Sequence, residues 1–203
     1  LVSANAEVMR QVSRPHALKH YLNIVQEGAR LGFRMVAYQI LGLPQESLDS
    51  MIDTLVVNAE LPVLLGASPF YIPPNSPIAR QFPPPSEQDL FTARLTAMAR
   101  DTEASSRDDV FTLFVTTRIL NFFKGLPLTT DMTFTEALNY ADQQGRRMAL
   151  GVTLFRKLCN EYVLYAAVGN TFKPIPRFRS TLFFELWSRL PYLTTQTGSR
   201  ISK

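Results

Sequence analysis

Thiols are almost absent, because Cys159 is the one cysteine in 203 residues. That excludes an internal disulfide and any metal site built only from cysteines of this chain. Charge of one sign is also scarce. Lysine and arginine outnumber aspartate and glutamate by 21 to 17, a net charge of +4. So small an excess does not imply nucleic acid unless it is clustered. No secretory signal is visible, so a cytoplasmic location is expected. Runs that would span a bilayer are missing too. Leu61 to Ala79 carries no charge but contains Pro62, Pro69, Pro73, Pro74 and Pro77, and Val110 to Phe123 is short and interrupted by Arg118. There is no internal repeat. Hydrophobic residues make up 46% and charged residues 19%, the balance of an ordinary globular protein of one large domain or two small ones. The chain opens at Leu1 rather than at a methionine, inside what reads as the end of a strand, and a fragment of a longer protein is expected.

The stretch from Phe33 to Ser47 organises what is present. Met35 to Leu41 is an apolar run broken only by Gln39, the pattern of a strand buried on both faces in a parallel sheet. Gly42, Leu43 and Pro44 end it. Glycine permits close approach of backbone or ligand, and proline removes a donor. A helical pattern follows from Glu46 to Glu60, with Met51, Ile52, Leu55, Val56 and Ala59 on its inner face. Val63 to Phe70 reads as the next strand. Upstream, Leu1-Val2 reads as a strand end, and Asn5 is placed to cap a short helix from Ala6 to Val12. Pro15 suits the first turn of a second helix that carries Leu18, Tyr21, Leu22, Val25 and Ala29 on one face and ends at Gly32. Strand end, helix, strand, helix and strand, with short connections, make a βαβ series with parallel pairing.

Beyond Tyr71 the character changes. After Pro69, the residues Pro73, Pro74, Pro77, Pro83, Pro84 and Pro85 mark an extended crossing segment. Ser86 with Asp89 would cap a helix reaching about Arg100. A further helix is expected from Asp108 to Lys124, with Val110, Phe111, Phe114, Val115, Leu120 and Phe123 inward. Thr133 and Glu136 form a capping-box pattern for one or two helices to about Val163, with a break at Gly145. Val168-Gly169-Asn170-Thr171 resembles a two-residue hairpin turn leading into a strand from Phe172 to Phe178. Ser180 would cap a last helix to Leu190, and the polar, basic tail from Thr194 to Lys203 is expected to be loose.

Three corners, taken in order and with their spacing, carry a resemblance. They are Ser3-Ala4-Asn5, Tyr38-Gln39-Ile40-Leu41-Gly42-Leu43-Pro44-Gln45-Glu46, and Ser68-Pro69-Phe70-Tyr71-Ile72-Pro73-Pro74-Asn75-Ser76-Pro77, and Ser13-Arg14-Pro15-His16 strengthens the match. Together they resemble the second half of a radical S-adenosylmethionine barrel, at the ends of its fourth, fifth and sixth strands. The resemblance implies an α/β fold: a partial, TIM-like half barrel over residues 1–82, then a mostly helical extension with a small hairpin over 83–203. That extension resembles cobalamin-dependent and other iron–sulfur oxidoreductases of the superfamily more weakly, so cobalamin use stays open.

By this resemblance Ile40 and Gly42 would pack beside the cofactor's adenine, backbone near Phe70 and Tyr71 would read its edge, Ser3 and Asn5 would hydrogen-bond the ribose, and Arg14 would face the methionyl carboxylate. A guanidinium fork suits that last task. Plainer roles stand beside each. Ser3 and Asn5 serve equally as helix caps, Glu46 as a complement to a helix N-terminus, Arg14 as a solvated charge, His16 as a polar residue at a helix start, Tyr71 as core and Cys159 as a small buried hydrophobe. Two departures stand out. Gln45 occupies a place where many members have glycine, and Tyr38 a place where oxygen-independent coproporphyrinogen dehydrogenases usually have an acid.

The family holds its 4Fe–4S cluster on three closely spaced cysteines in the first half of the barrel, and cluster ligation needs thiolates. This chain has none of them. Cluster, S-adenosylmethionine and radical oxidoreductase activity would therefore belong to an intact parent, with the rest of that polypeptide as partner, no membrane, and nucleic acid not expected. The competing expectation is a non-catalytic module that binds RNA or another anionic ligand. Its basis is Lys173, Arg177, Arg179, Arg189, Arg200 and Lys203 interleaved with Phe172, Phe178, Phe183, Phe184 and Trp187. A half barrel also leaves strand edges open, which favours aggregation or pairing with a second copy.

Overall fold

A computed structural model of the chain describes residues 2–14, 17–72, 75–81, 86–87, 101–126 and 132–190. Among these residues the fold is mixed α/β, with helices dominating and two small sheets. Helix α1, Ala6–Gln11, starts where Asn5 accepts hydrogen bonds from the backbone amides of Glu7 and Val8, the cap expected of an asparagine. Helix α2, Leu18–Arg30, ends at Gly32, whose φ of 80° is open to glycine. There the Phe33 and Gly32 amides return to the Gly28 and Ala29 carbonyls, closing off the last turn.

Strand β1, Met35–Leu41, and strand β2, Val63–Pro69, pair in parallel, in a register running from Met35 opposite Val63 to Leu41 opposite Pro69. Helix α3, Leu48–Glu60, connects them, so the expected βαβ unit is present. It packs Met51, Ile52 and Leu55 against Leu41, Leu65 and Ala67 on the sheet. Tyr21 and Val25 of α2 cover Ala37 and Val63 on the same sheet, and the buried Tyr21 hydroxyl donates to Asn58 Oδ1 at 2.7 Å.

Helix α4, Arg107–Lys124, joins the sheet to the C-terminal helices. Helices α5, Phe134–Asp142, and α6, Arg146–Glu161, follow and meet at the expected break beside Gly145. Thr133 and Glu136 form the capping box read from the sequence, and Ser106 with Asp109 forms another before α4. Strands β3, Tyr165–Val168, and β4, Thr171–Pro174, pair antiparallel across Gly169 and Asn170, and helix α7, Ser180–Ser188, closes the described chain. Phe123, Phe134, Phe155, Phe183 and Trp187 interlock at centroid distances from 4.7 to 5.9 Å. These rings belong to the same continuous core as Leu41 and Leu65 of the sheet.

Several expectations are corrected. Val2 lies in no strand, so two parallel strands are described rather than three. Strand β1 is buried on one face only. Ala37, Gln39 and Leu41 point into the core, whereas Val36, Tyr38 and Leu64 lie exposed on the opposite face. Helix α3 begins at Leu48 behind an N-cap at Ser47, two residues later than expected, and Val56 and Ala59 are half-buried. On α4 the deeply buried residues include Thr112, Leu113, Thr116 and Thr117, while Phe111, Phe114 and Val115 are half-buried. Threonine is tolerated there because each hydroxyl returns to the preceding turn, Thr112 to Asp108 O at 2.7 Å, Thr116 to Thr112 O at 2.8 Å and Thr117 to Phe114 O at 2.7 Å. Strand β4 stops at Pro174 rather than Phe178, since Pro174 and Pro176 cannot donate to a ladder. Arg179, not Ser180, is the N-cap of α7.

The free edge of β2 is not open along its whole length. The Asn121 side chain accepts from Leu65 N at 2.8 Å and donates to Leu65 O at 2.8 Å, filling the place of a neighbouring strand. The helix start at Pro15 and His16, the helix expected to Arg100, the prolines at 73–74 and 83–85, and the tail from Thr194 lie outside the described residues, as does Leu1. Within that stretch Pro77–Gln81 forms one short 3-10 turn.

Candidate functional site

The ends of the two parallel strands bring the sequence corners together. At the end of β1, Gly42 has φ 78°, a conformation that a side chain disfavours. Its amide points at the Met51 sulfur, 3.0 Å away. Leu43, Pro44, Gln45 and Glu46 then form a turn closed by Glu46 N donating to Leu43 O at 3.1 Å. Proline second and a positive φ third are the marks of a type II turn. Gln45 holds that third place with φ 70°, a position that favours glycine.

Glu46 precedes the Ser47 cap of α3, but its carboxyl does not serve the helix backbone. It turns into the protein, only 1% exposed. Its Oε1 accepts from Ser3 Oγ at 2.8 Å and from Ser50 Oγ at 3.2 Å. Its Oε2 is buried, with no partner among the described residues. Burial pushes the carboxyl up to about 7, against the opposing pull of the two hydroxyls. The expected role of complementing the helix N-terminus as a charge is therefore replaced by a buried tie between segments.

Ser3, itself 1% exposed, has its hydroxyl committed to Glu46 and accepts from Asn5 N at 3.1 Å. Ala4 N donates to Thr54 Oγ1 at 2.8 Å, and the Thr54 hydroxyl donates to Ser50 O at 2.9 Å. Neither Ser50 nor Thr54 was singled out from the sequence. Ser50 and Thr54 lie four residues apart on the buried side of α3, and Glu46 reaches Ser50 from the turn before the helix. Gln39, the polar break in the apolar strand, sits in the same layer and donates to Met51 O at 3.0 Å.

Ile40 at the end of β1 and Phe70 just after β2 pack with Val2, Val8, Met9 and Leu43 in one small apolar cluster. Phe70 N donates to Leu41 O at 2.7 Å, which fastens the two strand ends together. Ser3, Asn5, Ile40, Gly42 and Phe70 thus share one rim. Asn5 is exposed at that rim, with Oδ1 held by the α1 amides. Tyr71 is 63% exposed and is not the core residue that was one expectation for it. Arg14 is exposed after α1, with its backbone amide on Met9 O at 2.9 Å. Among the described residues its side chain bonds to none of the other six.

No group of three or more histidine, cysteine, aspartate or glutamate residues among the described residues is placed to hold a metal. Cys159 lies half-buried on α6, and burial pushes its thiol up to about 11. No helix among the described residues is long and apolar enough to cross a membrane. In the basic C-terminal region, Arg177 pairs with Asp108 at 2.9 Å, Arg179 with Asp109 at 2.8 Å, and Arg189 with Asp53. Phe178, Phe183 and Trp187 are buried. Arg200 and Lys203 lie outside the described residues. No protein-family model matches the chain, and no curated protein or solved structure matches it.

Proposed function

We propose that residues 1–82 are the second half of a radical S-adenosylmethionine barrel and that the rim of the two strand ends holds the adenosyl part of that cofactor. One observation carries the proposal. The Ser3–Asn5 corner, the Ile40–Glu46 corner and the Phe70–Tyr71 corner are far apart in sequence, and they meet at the C-terminal ends of two parallel strands. In barrels of parallel strands, ligands bind at that end. Two further features support it. Gln45 adopts the backbone conformation that glycine favours, at the place where many members have glycine. The sheet face carrying Val36, Tyr38 and Leu64 is exposed, whereas parallel strands are ordinarily covered on both faces; further strands of a barrel would cover it.

The rim suits the cofactor in part. Ile40 and Phe70 offer an apolar wall for adenine beside Gly42, and the exposed Asn5 offers an amide to the ribose. Ser3 is committed to Glu46 and would act by fixing Asn5 rather than by touching ribose itself. Tyr71 would close over the adenine edge, and Arg14 would meet the carboxylate. When bound and reduced, the cofactor supplies a deoxyadenosyl radical that takes a hydrogen from substrate; this chain's residues bind and orient it. The iron–sulfur cluster does not fit this chain. Its one thiol is half-buried in the helical layer and held protonated, so the cluster ligands, and a cobalamin if one is used, would come from the rest of the parent.

The coding sequence upstream of Leu1 tests this. Three closely spaced cysteines on a loop after a first strand are expected. Their absence from the parent would overturn the proposal. The competing module for RNA or another anion gains little from the ion pairs that engage Arg177, Arg179 and Arg189.

A further inference from the structure

We infer that Glu46 is a proton-operated latch that fixes the Ser3–Asn5 corner onto helix α3, and so a positioning residue for the rim. The geometry is a closed polar cluster inside an apolar surround. Oε1 of Glu46 accepts from the hydroxyls of Ser3 and Ser50, which leaves Oε2, buried and without a partner among the described residues, to carry the acid proton. Ser3 in turn holds the Asn5 amide, and Thr54 holds the Ala4 amide. Two consecutive backbone groups of the corner therefore hang on this cluster: Asn5 on Ser3, which Glu46 holds, and Ala4 on Thr54, which the Ser50 carbonyl holds.

Among the described residues no charge stands opposite the carboxyl to favour its ionised form. The one ionisable group of strands β1 and β2, Tyr38, lies exposed on the opposite face of the sheet. The acids of α3, Asp49, Asp53 and Glu60, are exposed, and Asp53 pairs with Arg189. Glu7 and Arg10 of α1 are exposed and pair with each other. Burial thus dominates, and the closed latch prefers the neutral acid. When the proton leaves, an uncompensated charge sits in the apolar layer, and opening the corner to water relieves it.

The consequence for a ribose held by Asn5 rests on the function proposed above. The latch itself needs no cofactor, so the two can fail separately. The test is amide hydrogen exchange of the full 203-residue chain across pH, corrected for intrinsic exchange. The Gly32 and Phe33 amides, held at the far end of α2, serve as reference. An acid that moves from its ordinary 4.5 when open to about 7 when closed predicts that protection at Ala4 and Asn5 falls about tenfold between about pH 6 and about pH 8. Reference amides should not follow. Glu46→Gln removes the titration and should flatten the profile at both amides. Protection at Ala4 and Asn5 that stays level with pH in the unmodified chain would overturn the latch, as would a Glu46→Gln profile that still falls tenfold. If the variant does not fold, the unmodified chain's profile decides alone.

Discussion

Asn121 gives the sharpest single-residue test of how the sheet and the helical layer are joined. Its amide meets both backbone groups of Leu65, each at 2.8 Å, on the side of β2 that faces away from β1. Leu65 is buried at 3% exposure, so neither group has water as a ready substitute. Replacing Asn121 by leucine strands one N–H and one C=O. An unsatisfied buried backbone group costs about 1–3 kcal/mol, and partial access of solvent at the half-buried Asn121 keeps the sum at about 2–4 kcal/mol. Urea denaturation of the variant should show that loss with an unchanged slope. The freed edge should also raise the tendency to self-associate, which light scattering would detect. Asn121→Asp separates the two bonds. The carboxylate still accepts from Leu65 N but faces Leu65 O with a second oxygen, so it should lose about as much as the leucine variant. A leucine variant within about 0.5 kcal/mol of the parent chain would show that the amide clamp is ornamental and that α4 holds β2 through apolar contact alone.

Three other expectations follow from the same structure. Phe123 is 1% exposed and packs against the rings of Phe134, Phe155 and Trp187, so Phe123→Ala should cost about 3–5 kcal/mol in chemical denaturation. Gln45 has φ 70°, so Gln45→Gly should stabilise the chain by about 0.5–1 kcal/mol in the same assay, relief of the left-handed backbone outweighing the entropy of glycine. Glu46 should make stability fall as pH rises. Its folded pKa, about 7, lies above the ordinary 4.5, so the folded state binds more protons between those values, and about 3 kcal/mol present below about pH 4.5 is lost as pH passes 7. A stability titration should show this fall in the unmodified chain and not in Glu46→Gln.

Local signals in the sequence were legible where one residue decides one feature. Asn5, Thr133 with Glu136, Gly32 and the Gly169-Asn170 turn each govern a helix start, a helix end or a hairpin through their own backbone or side chain. The βαβ unit was legible because apolar runs of strand length alternate with a helical period. What escaped was set by tertiary contact. Which face of β1 meets the core depends on the elements that cover it, and the run Met35 to Leu41 is apolar enough for either. The buried threonines of α4 are polar by type but satisfied by their own helix. The latch was missed because Ser50 and Thr54 look like ordinary solvent-facing helix residues until Ser3 and Ala4, some fifty positions away, are seen to bond to them.

The most direct measurement of the cofactor proposal is a titration of the isotopically labelled chain with S-adenosylmethionine, followed by amide chemical shifts. The account predicts shifts gathered at Ser3 to Asn5, Ile40 to Leu43, and Phe70 to Tyr71, the residues that share the rim of the two strand ends. Shifts absent from that rim at millimolar cofactor, or gathered instead at the β3–β4 hairpin and its Lys173, would contradict it.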